Sequence, residues 1–501
     1  MIGTKAGALE PAAGVAARHN SGPQGVNGKR AGISTRRGAQ LLSITEKLAV
    51  RLFRPGRVPW RSQAPERARR GPGCGSWTGR RSFVGPIAPV LPVNKKKIFN
   101  DPVYGFVTIP TELLFDLIEH PYFQRLRRIQ QLGLTGFVYP GALHTRFHHA
   151  LGAMHLMQLA LRTLKDKGVP VSAAEGEAAL AAILLHDIGH GPLSHALETA
   201  IFQDVPHEQF SLFLMRRLNE TFGGRLSLAI EIFEGTYGRP FFHQLVSSQL
   251  DMDRLDYLNR DSFYTGVEEG RPGADRLIKM LRVVDEQLVL EEKAVYSVEN
   301  FLVSRRLMYW QVYLHKTVTS AEQMVIRTVQ RARDLTRQGV AVPANSCLSF
   351  FLGRAVALAD FAADPKILSR FVELDDYDIW SAMKGWATHP DVVLSYLAKS
   401  LLNRNLLKIV IASAPFDDDF KLGIHELIAE HFRLPPAEAA LLMIAGRLSN
   451  SAYDARSQEP INILTKKGTV VNVMDASDLP NIRALSQRVD KFYICYPKEI
   501  I

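Results

Sequence analysis

Cysteine, acidic charge near the amino terminus and long apolar runs are all scarce in this chain of 501 residues. Its three cysteines, Cys74, Cys347 and Cys495, are far apart, which argues against a disulfide framework or a cysteine-based zinc site and suits the reducing cytoplasm. The longest apolar stretches, such as EAALAAILL at 177–185, are far too short to cross a bilayer, so no membrane partner is expected.

The net charge of +11 is concentrated in the first segment. Residues 1–92 hold 16 Lys and Arg against 3 Asp and Glu, a net of +13, whereas the remainder holds 45 against 47, a net of −2. The segment also contains 14 of the 36 glycines and has no sustained apolar period, so we expect a disordered extension.

Three interpretations of residues 1–92 compete. An Arg-rich tail can bind nucleic acid, and an Arg-rich, acid-poor leader is typical of an organelle transit peptide. The interpretation we favour is a start codon assigned too far upstream, because the composition changes abruptly at VNKKKIFNDPVYGFVTIP and Val93 could be a translated GTG start.

Beyond the extension the patterns are mainly those of α-helices. HPYFQRLRRIQQLG (120–133) has apolar residues at steps of three, while 144–164 and 175–187 are apolar enough to be buried helices, and 247–263 is amphipathic. The length implies two or three units. We divide the chain into the extension (1–92), a helical catalytic core (93–280) and a helical carboxyl-terminal region with small β-hairpins (281–501).

Strand signals are few. Alternation within 281–298 and a Lys-Lys-Gly turn between β-branched runs at 460–475 each predict a hairpin, and KFYICYP predicts one more strand. Residues 299–460 are otherwise expected to form further helices.

Titratable residues cluster on the apolar helices of the expected core. Ten of the fifteen histidines lie between His120 and His243, and LLHDIGHGPLSH (184–195) alone holds three histidines and an aspartate. Histidine and aspartate inside apolar helices are costly unless they are paired or bind a metal. Imidazole and carboxylate together suit Fe, Mn, Zn, Co or Ni, and a set of four leaves positions open for water and substrate, as a catalytic metal requires.

The blocks RFHH, HDIGHGPLSH and DMDRLDY, in this order, resemble the HD-domain phosphohydrolases and, more narrowly, the deoxynucleoside triphosphate triphosphohydrolases. The resemblance covers roughly residues 100–320 and implies a mainly α fold with an HD-domain helical core. It also implies a divalent metal ion, Fe, Mn, Zn, Co, Ni or Mg, held by His149, His186, Asp187 and Asp253.

Further roles follow from the same resemblance. His195 would protonate the leaving 5′-oxygen, with Glu198 and His207 orienting it and His190 facing the triphosphate. This chain departs from one member of the family, which has Asp in place of Glu198 and Lys in place of Arg254. The implied substrate contacts, on phosphate, sugar or effector, are Arg146, Arg254, Tyr257, Asp261, Gln131, Leu132, Arg305 and Tyr313.

The expected reaction is attack of water on the α-phosphorus of a dNTP, which releases a deoxynucleoside and inorganic triphosphate. Two alternatives stay open: a phosphodiesterase or nucleotidase acting on a cyclic dinucleotide or a monophosphate, and a nucleotide-sensing protein with an inactive site. The resemblance further implies a homo-oligomer and a nucleotide effector, and the basic extension leaves nucleic acid open as a partner.

Overall fold

The computed structural model describes residues 97–194, 200–201, 205–454, 459–479 and 481–500. Within these ranges the chain is mainly α-helical, as the sequence predicts. The helices of the first half are α1 (Glu112–Glu119), α2 (Pro121–Gln124), α3 (Arg146–Asp166), α4 (Ala173–Leu185), α5 (His207–Thr221), α6 (Ser227–Glu234), α7 (Phe241–Val246), α8 (Met252–Thr265) and α9 (Ala274–Lys279).

The second half continues with helices and small sheets. Its helices are α10 (Val295–Met308), α11 (Lys316–Arg337), α12 (Ser346–Gly353), α13 (Leu358–Ala363), α14 (Pro365–Glu373), α15 (Asp376–Trp386), α16 (Val392–Leu402), α17 (Asp418–Phe432), α18 (Pro436–Ala439), α19 (Val473–Ala476) and α20 (Asn481–Leu485). A π-helical turn, Tyr309–Tyr313, separates α10 from α11. None of these described helices is both long and apolar enough to cross a membrane.

The strands are β1 (Ile98–Asp101), β2 (Gly105–Thr108), β3 (Leu281–Val284), β4 (Gln287–Glu291), β5 (Lys408–Ala412), β6 (Ile444–Asn450), β7 (Asn462–Leu464), β8 (Val470–Asn472) and β9 (Val489–Tyr496). Both predicted hairpins form, as β3–β4 and β7–β8, and a parallel pairing of β4 with β7 joins them into one four-stranded sheet. The predicted strand β9 lies between β5 and β6 and is antiparallel to both.

Two local expectations were wrong. Residues 120–133 form only the single turn α2 and a 3-10 turn at Arg125–Arg128, which ends at Ile129 because that residue is extended, with φ −120° and ψ 116°. The Arg125 side chain turns inward and donates to the backbone carbonyls of Leu374, Ile188 and His190. The region 299–460 is not all helical, since it contains β5 and β6, whose partner β9 lies far along the chain.

Helices α3, α4 and α8 form the frame of the site and begin at side-chain caps. Ser172 and Glu175 cap α4 reciprocally, with hydrogen bonds of 3.2 and 2.8 Å, and Asp251 caps α8 by accepting from the Arg254 backbone N–H at 2.7 Å. Thr145 and His148 form the corresponding box at the start of α3.

A glycine sets how closely α3 and α8 approach. A Cβ atom at Gly152 would lie 2.0 Å from a carboxylate oxygen of Asp256 and 2.1 Å from a guanidinium nitrogen of Arg260. Only glycine therefore fits on α3 opposite this buried ion pair of α8. The two helices carry two of the four predicted metal ligands, His149 on α3 and Asp253 on α8, so their spacing decides whether these two ligands converge.

Candidate active site

The four predicted metal ligands meet at one point between α3, α4 and α8. His149 Nε2 and His186 Nε2 are 3.4 Å apart, and Asp253 Oδ1 lies 3.1 Å from the first and 3.4 Å from the second. Asp187 adds one oxygen 3.4 Å from His186 Nε2 and the other 3.7 Å from His149 Nε2. Donor atoms about 2.1 Å from a shared metal ion are separated by about 3.0–3.4 Å, so this set can hold one divalent ion.

The electrostatics of the cluster also favour a cation. Burial lowers the pKa of His149, but hydrogen bonds to Asp253 and Asp256 outweigh burial and raise that pKa to about 10. Burial opposes the charge on Asp253 as well, yet the two histidines hold its pKa far below the usual range. Positive charge is therefore strongly stabilised at the point where the four side chains converge, which is what binding of a divalent ion requires.

Hydrogen bonds at Nδ1 orient the rings of the two candidate ligand histidines. His149 Nδ1 lies 2.7 Å from Asp256 Oδ2, and His186 Nδ1 lies 2.7 Å from the carbonyl oxygen of Ile183. Asp256 in turn accepts two hydrogen bonds of 3.0 Å from the Arg260 guanidinium, and Arg260 also donates to Asp101 at 2.7 Å. Such partners place the proton on Nδ1 and leave Nε2 free to bind a metal.

A cavity of about 520 Å³ opens directly beside the cluster. Asp187 and Asp253 line it, as do most of the predicted substrate contacts. Those contacts are Gln131, Leu132, Arg146, Arg254, Tyr257, Asp261 and Tyr313. Its volume is in the range of pockets that bind small molecules and cofactors.

The guanidinium groups of two arginines in the cavity wall are held in place by neighbouring protein groups. Arg146 is buried, donates to a carboxylate oxygen of Asp187, and donates through Nε and Nη2 to Ser194 Oγ at 3.1 and 2.9 Å. Arg254 donates through Nε to the carbonyl of Ser248 and lies 3.2 Å from Asp251. Anchored guanidinium groups in a cavity provide fixed positive charge for phosphate oxygens.

His190 and His207 form a stacked pair at the same wall. Their ring centroids are 3.7 Å apart with an interplanar angle of 19°, and His190 Nε2 lies 3.4 Å from Asp187 Oδ1. Gly189 explains how the pair forms, because a Cβ atom there would lie 2.4 Å from the His207 carbonyl oxygen and 2.2 Å from the Ser211 backbone nitrogen. Gly189 therefore lets α5 approach the loop that follows α4.

Asp261 is fixed by two hydrogen bonds rather than left free for substrate. His144 Nε2 lies 2.8 Å from one of its oxygens, and the Tyr313 hydroxyl donates to the other at 2.8 Å. The His144 ring is stacked on Tyr264 at 4.4 Å between centroids. Asp261 and Tyr313 therefore form one rigid unit of the cavity wall.

Arg305 stands apart from this wall, and two other predicted residues cannot be placed relative to it. Arg305 is not among the residues that line the cavity, and its guanidinium donates to the carbonyl of Ala452 at 3.1 Å. His195 and Glu198, the expected proton donor and one residue that orients it, lie outside the described residues. The other orienting residue, His207, stacks on His190 as described above.

Sequence reasoning missed several residues that shape the site. Asp376 of α15 accepts hydrogen bonds from the backbone N–H groups of Gln130 (2.9 Å) and Leu193 (2.7 Å), so it ties together two loops at the cavity. Burial raises the pKa of this carboxyl to about 6. Glu322 and Gln323 of α11 also line the cavity. No local motif marks these residues, because they reach the site from distant helices.

Comparison with known proteins agrees with this geometry. The HD domain family matches residues 146–258, which contain all four candidate ligands, and the HD associated region matches 273–341. The uncharacterized protein YwfO of Bacillus subtilis is 32% identical over 426 residues, covering 82% of this chain and 94% of that protein. The crystal structure of a phosphohydrolase from Bacteroides thetaiotaomicron is 50% identical, with a TM-score of 0.78, and covers 80% of this chain and 99% of the other.

A narrower similarity concerns enzymes that act on deoxynucleotides. The human deoxynucleoside triphosphate triphosphohydrolase SAMHD1 is 29% identical over 286 residues, which is 48% of this chain and 45% of the human protein. The homologue from Dictyostelium discoideum is 28% identical over 336 residues, covering 63% of this chain and 60% of that protein.

Proposed function

This chain belongs to the HD-domain phosphohydrolases, and on that premise we propose that it hydrolyses deoxynucleoside triphosphates, dGTP among them, to a deoxynucleoside and inorganic triphosphate. One observation carries the proposal. A four-residue metal cluster adjoins a cavity whose lining combines two anchored arginines, which suit phosphates, with three tyrosines, which suit a nucleoside.

The proposed ligands of a divalent metal ion are His149, His186, Asp187 and Asp253, whose spacing and charge fit such an ion. A divalent ion bound by such residues supplies Lewis acidity, which lowers the pKa of water and offsets phosphate charge. His, Asp and open coordination positions do not by themselves select among Fe, Mn, Zn, Co, Ni and Mg.

The arginines position the triphosphate. Arg146 faces the cavity from the start of α3 and Arg254 from the start of α8, so both place positive charge near Asp187 and Asp253. Fixed cations at the phosphoryl group stabilise charge that builds up during the displacement, because no solvent has to reorganise. Water attacks the α-phosphorus, the bond from phosphorus to the 5′-oxygen breaks, and the leaving oxygen takes up a proton.

The proton donor proposed for that oxygen is His195, by resemblance, with Glu198 and His207 as the residues that orient it. Imidazole suits the role near neutral pH. His190, stacked on His207 beside Asp187, would face the triphosphate. Tyr257, Tyr313 and Asp261 form the wall proposed to hold the sugar, with Gln131 and Leu132 on the 3′ side. Arg305 contacts this wall indirectly: its guanidinium carbon lies 5.7 Å from the ring centroid of Tyr309, which lines the cavity.

Product analysis tests the proposal. Purified protein is incubated with dNTPs, NTPs and cyclic dinucleotides under several divalent metals, and products are separated by chromatography. Release of inorganic triphosphate is the expected result, and it should be lost in His186→Ala and Asp187→Ala. Orthophosphate or a linear dinucleotide would show a different phosphohydrolase instead, and full activity of either variant would show that the site is misplaced.

Assembly into a homo-oligomer and control by a nucleotide effector are proposed from the same resemblance. Light scattering with and without added dNTPs tests both, because effector-driven assembly would raise the mass in the presence of nucleotide.

A further inference from the structure

Helix α11 contributes a separate wall to the cavity. Glu322, Gln323 and Ile326 line it, and Glu322 and Ile326 share one face of the helix because they are four residues apart. Helix α11 packs against α12, α16, β5, the 3-10 turn Gly133–Phe137 and the π-helical turn Tyr309–Tyr313. The candidate metal ligands come from α3, α4 and α8, so this wall is built from different elements.

Glu322 is an unusual group to find on such a wall. It is half-buried, and among the described residues it forms no hydrogen bond or ion pair. Burial raises the pKa of its carboxyl to about 7, and no positive charge among the described residues offsets that effect. Tyr493 of β9 lies close enough to interact with it: burial, then Cys495 and then Glu322 raise the pKa of Tyr493 to about 12. A carboxyl without a partner in a cavity is costly to keep unless a ligand supplies hydrogen-bond donors.

Charge decides which part of a nucleotide can supply those donors. The triphosphate is negative and would be repelled by a carboxylate, whereas Arg146 and Arg254, which reach the cavity from α3 and α8 rather than α11, offer it positive charge. The acid on the sugar wall, Asp261, is already engaged by His144 and Tyr313. The nucleobase is the remaining part of the substrate, and its Watson–Crick edge carries N–H donors.

We propose that Glu322 determines base selectivity by accepting hydrogen bonds from the nucleobase, and that its carboxylate favours guanine. The proposal rests on the proposed function. The two carboxylate oxygens can accept from N1–H and the N2 amino group of guanine at once. Adenine and cytosine present an amino donor beside a ring nitrogen that accepts, so the second oxygen would face another acceptor. Ile326 offers an apolar surface on the same face of α11.

The test compares specificity constants for dGTP and dATP in three proteins: the wild type, Glu322→Gln and the control Glu426→Gln, which changes an exposed acid on α17. The isosteric amide keeps the shape of the side chain but turns one acceptor into a donor facing the guanine N–H groups. We expect wild type and control to prefer dGTP, and Glu322→Gln to lower the ratio of kcat/KM for dGTP to that for dATP at least about tenfold.

The possible results distinguish a failure of the role proposed for Glu322 from a failure of the proposed function. A wild type that prefers dATP, or an unchanged ratio in Glu322→Gln, overturns the role of Glu322 even if triphosphate is released. A uniform loss for both nucleotides also overturns it, because that result indicates a structural role. If the wild type releases no triphosphate, the proposed function fails. Calorimetric titration of the wild type with α,β-imido analogues of dGTP and dATP then tests the role of Glu322 in base selectivity. Equal affinities for the two analogues overturn that role.

Discussion

Replacing Asp256 with asparagine should weaken both the fold and the metal site, although Asp256 is not a candidate ligand. The Asp256 and Arg260 side chains are fully buried, and Asp256 accepts three hydrogen bonds: one of 2.7 Å from His149 and two of 3.0 Å from Arg260. Asparagine has the same shape but no charge, and its amide group would face donors. Arg260 would keep only Asp101 as a carboxylate partner.

Removing one partner of a buried ion pair costs about 3–5 kcal/mol. Because Asp101 still compensates Arg260, we expect the lower end, about 3 kcal/mol, which for a folded chain of this length corresponds to a fall in melting temperature of roughly 3–4 °C. The metal effect comes through His149. An amide N–H pointing at Nδ1 favours the tautomer with the proton on Nε2, which cannot bind a metal, so affinity should fall about 10- to 100-fold.

Thermal unfolding in chelator and calorimetric titration with Mn²⁺ measure the two effects separately. Asp419→Asn, at an exposed position of α17, is the matched control and should behave as wild type. If Asp256→Asn melts within about 1 °C of wild type and binds Mn²⁺ with wild-type affinity, the reasoning about this buried network is refuted.

Three further predictions concern the cavity and the cluster. Arg146→Ala should lower kcat/KM for dNTPs about 10²- to 10³-fold, since one fixed cation at the phosphates is lost; steady-state kinetics check this, and a change under threefold would contradict it. Chelation should abolish turnover, and metal at about 100 times its Kd should raise the free energy of unfolding by about 2.7 kcal/mol, measured by denaturant titration; activity in the metal-free protein would contradict it. Because burial raises the pKa of Glu322 to about 7, the carboxyl is mostly neutral at pH 6 and ionised at pH 8. The ratio of kcat/KM for dGTP to that for dATP should rise across this interval in wild type and stay constant in Glu322→Gln; a flat wild-type profile would count against the assignment.

Local sequence patterns were sufficient for the elements that carry the metal cluster. The apolar runs around 144–164 and 175–187 predicted α3 and α4, and the structure places α3 at Arg146–Asp166 and α4 at Ala173–Leu185. Helix α8 begins at Met252, later than the predicted 247, because Asp251 caps it. These helices could be predicted because their periodicity and caps lie within a few residues of each other.

What the sequence could not reveal depends on partners distant in the chain. Arg125 looks like an exposed residue of an ordinary helix, yet it is buried and donates to the carbonyls of Leu374, Ile188 and His190, which lie far along the chain. Asp256 was visible in the acidic cluster of α8, but its role requires knowing that His149 and Arg260 converge on it. The wall of the cavity that holds Glu322 is likewise a product of tertiary packing.

In the proposed reaction, water attacks the α-phosphorus of a dNTP at the cluster formed by His149, His186, Asp187 and Asp253. Hydrolysis of dGTP in ¹⁸O-labelled water, followed by mass spectrometry of both products, tests which bond breaks. We expect one ¹⁸O atom in inorganic triphosphate and none in deoxyguanosine. Label in the 5′-hydroxyl of deoxyguanosine, or release of orthophosphate in place of triphosphate, would contradict it.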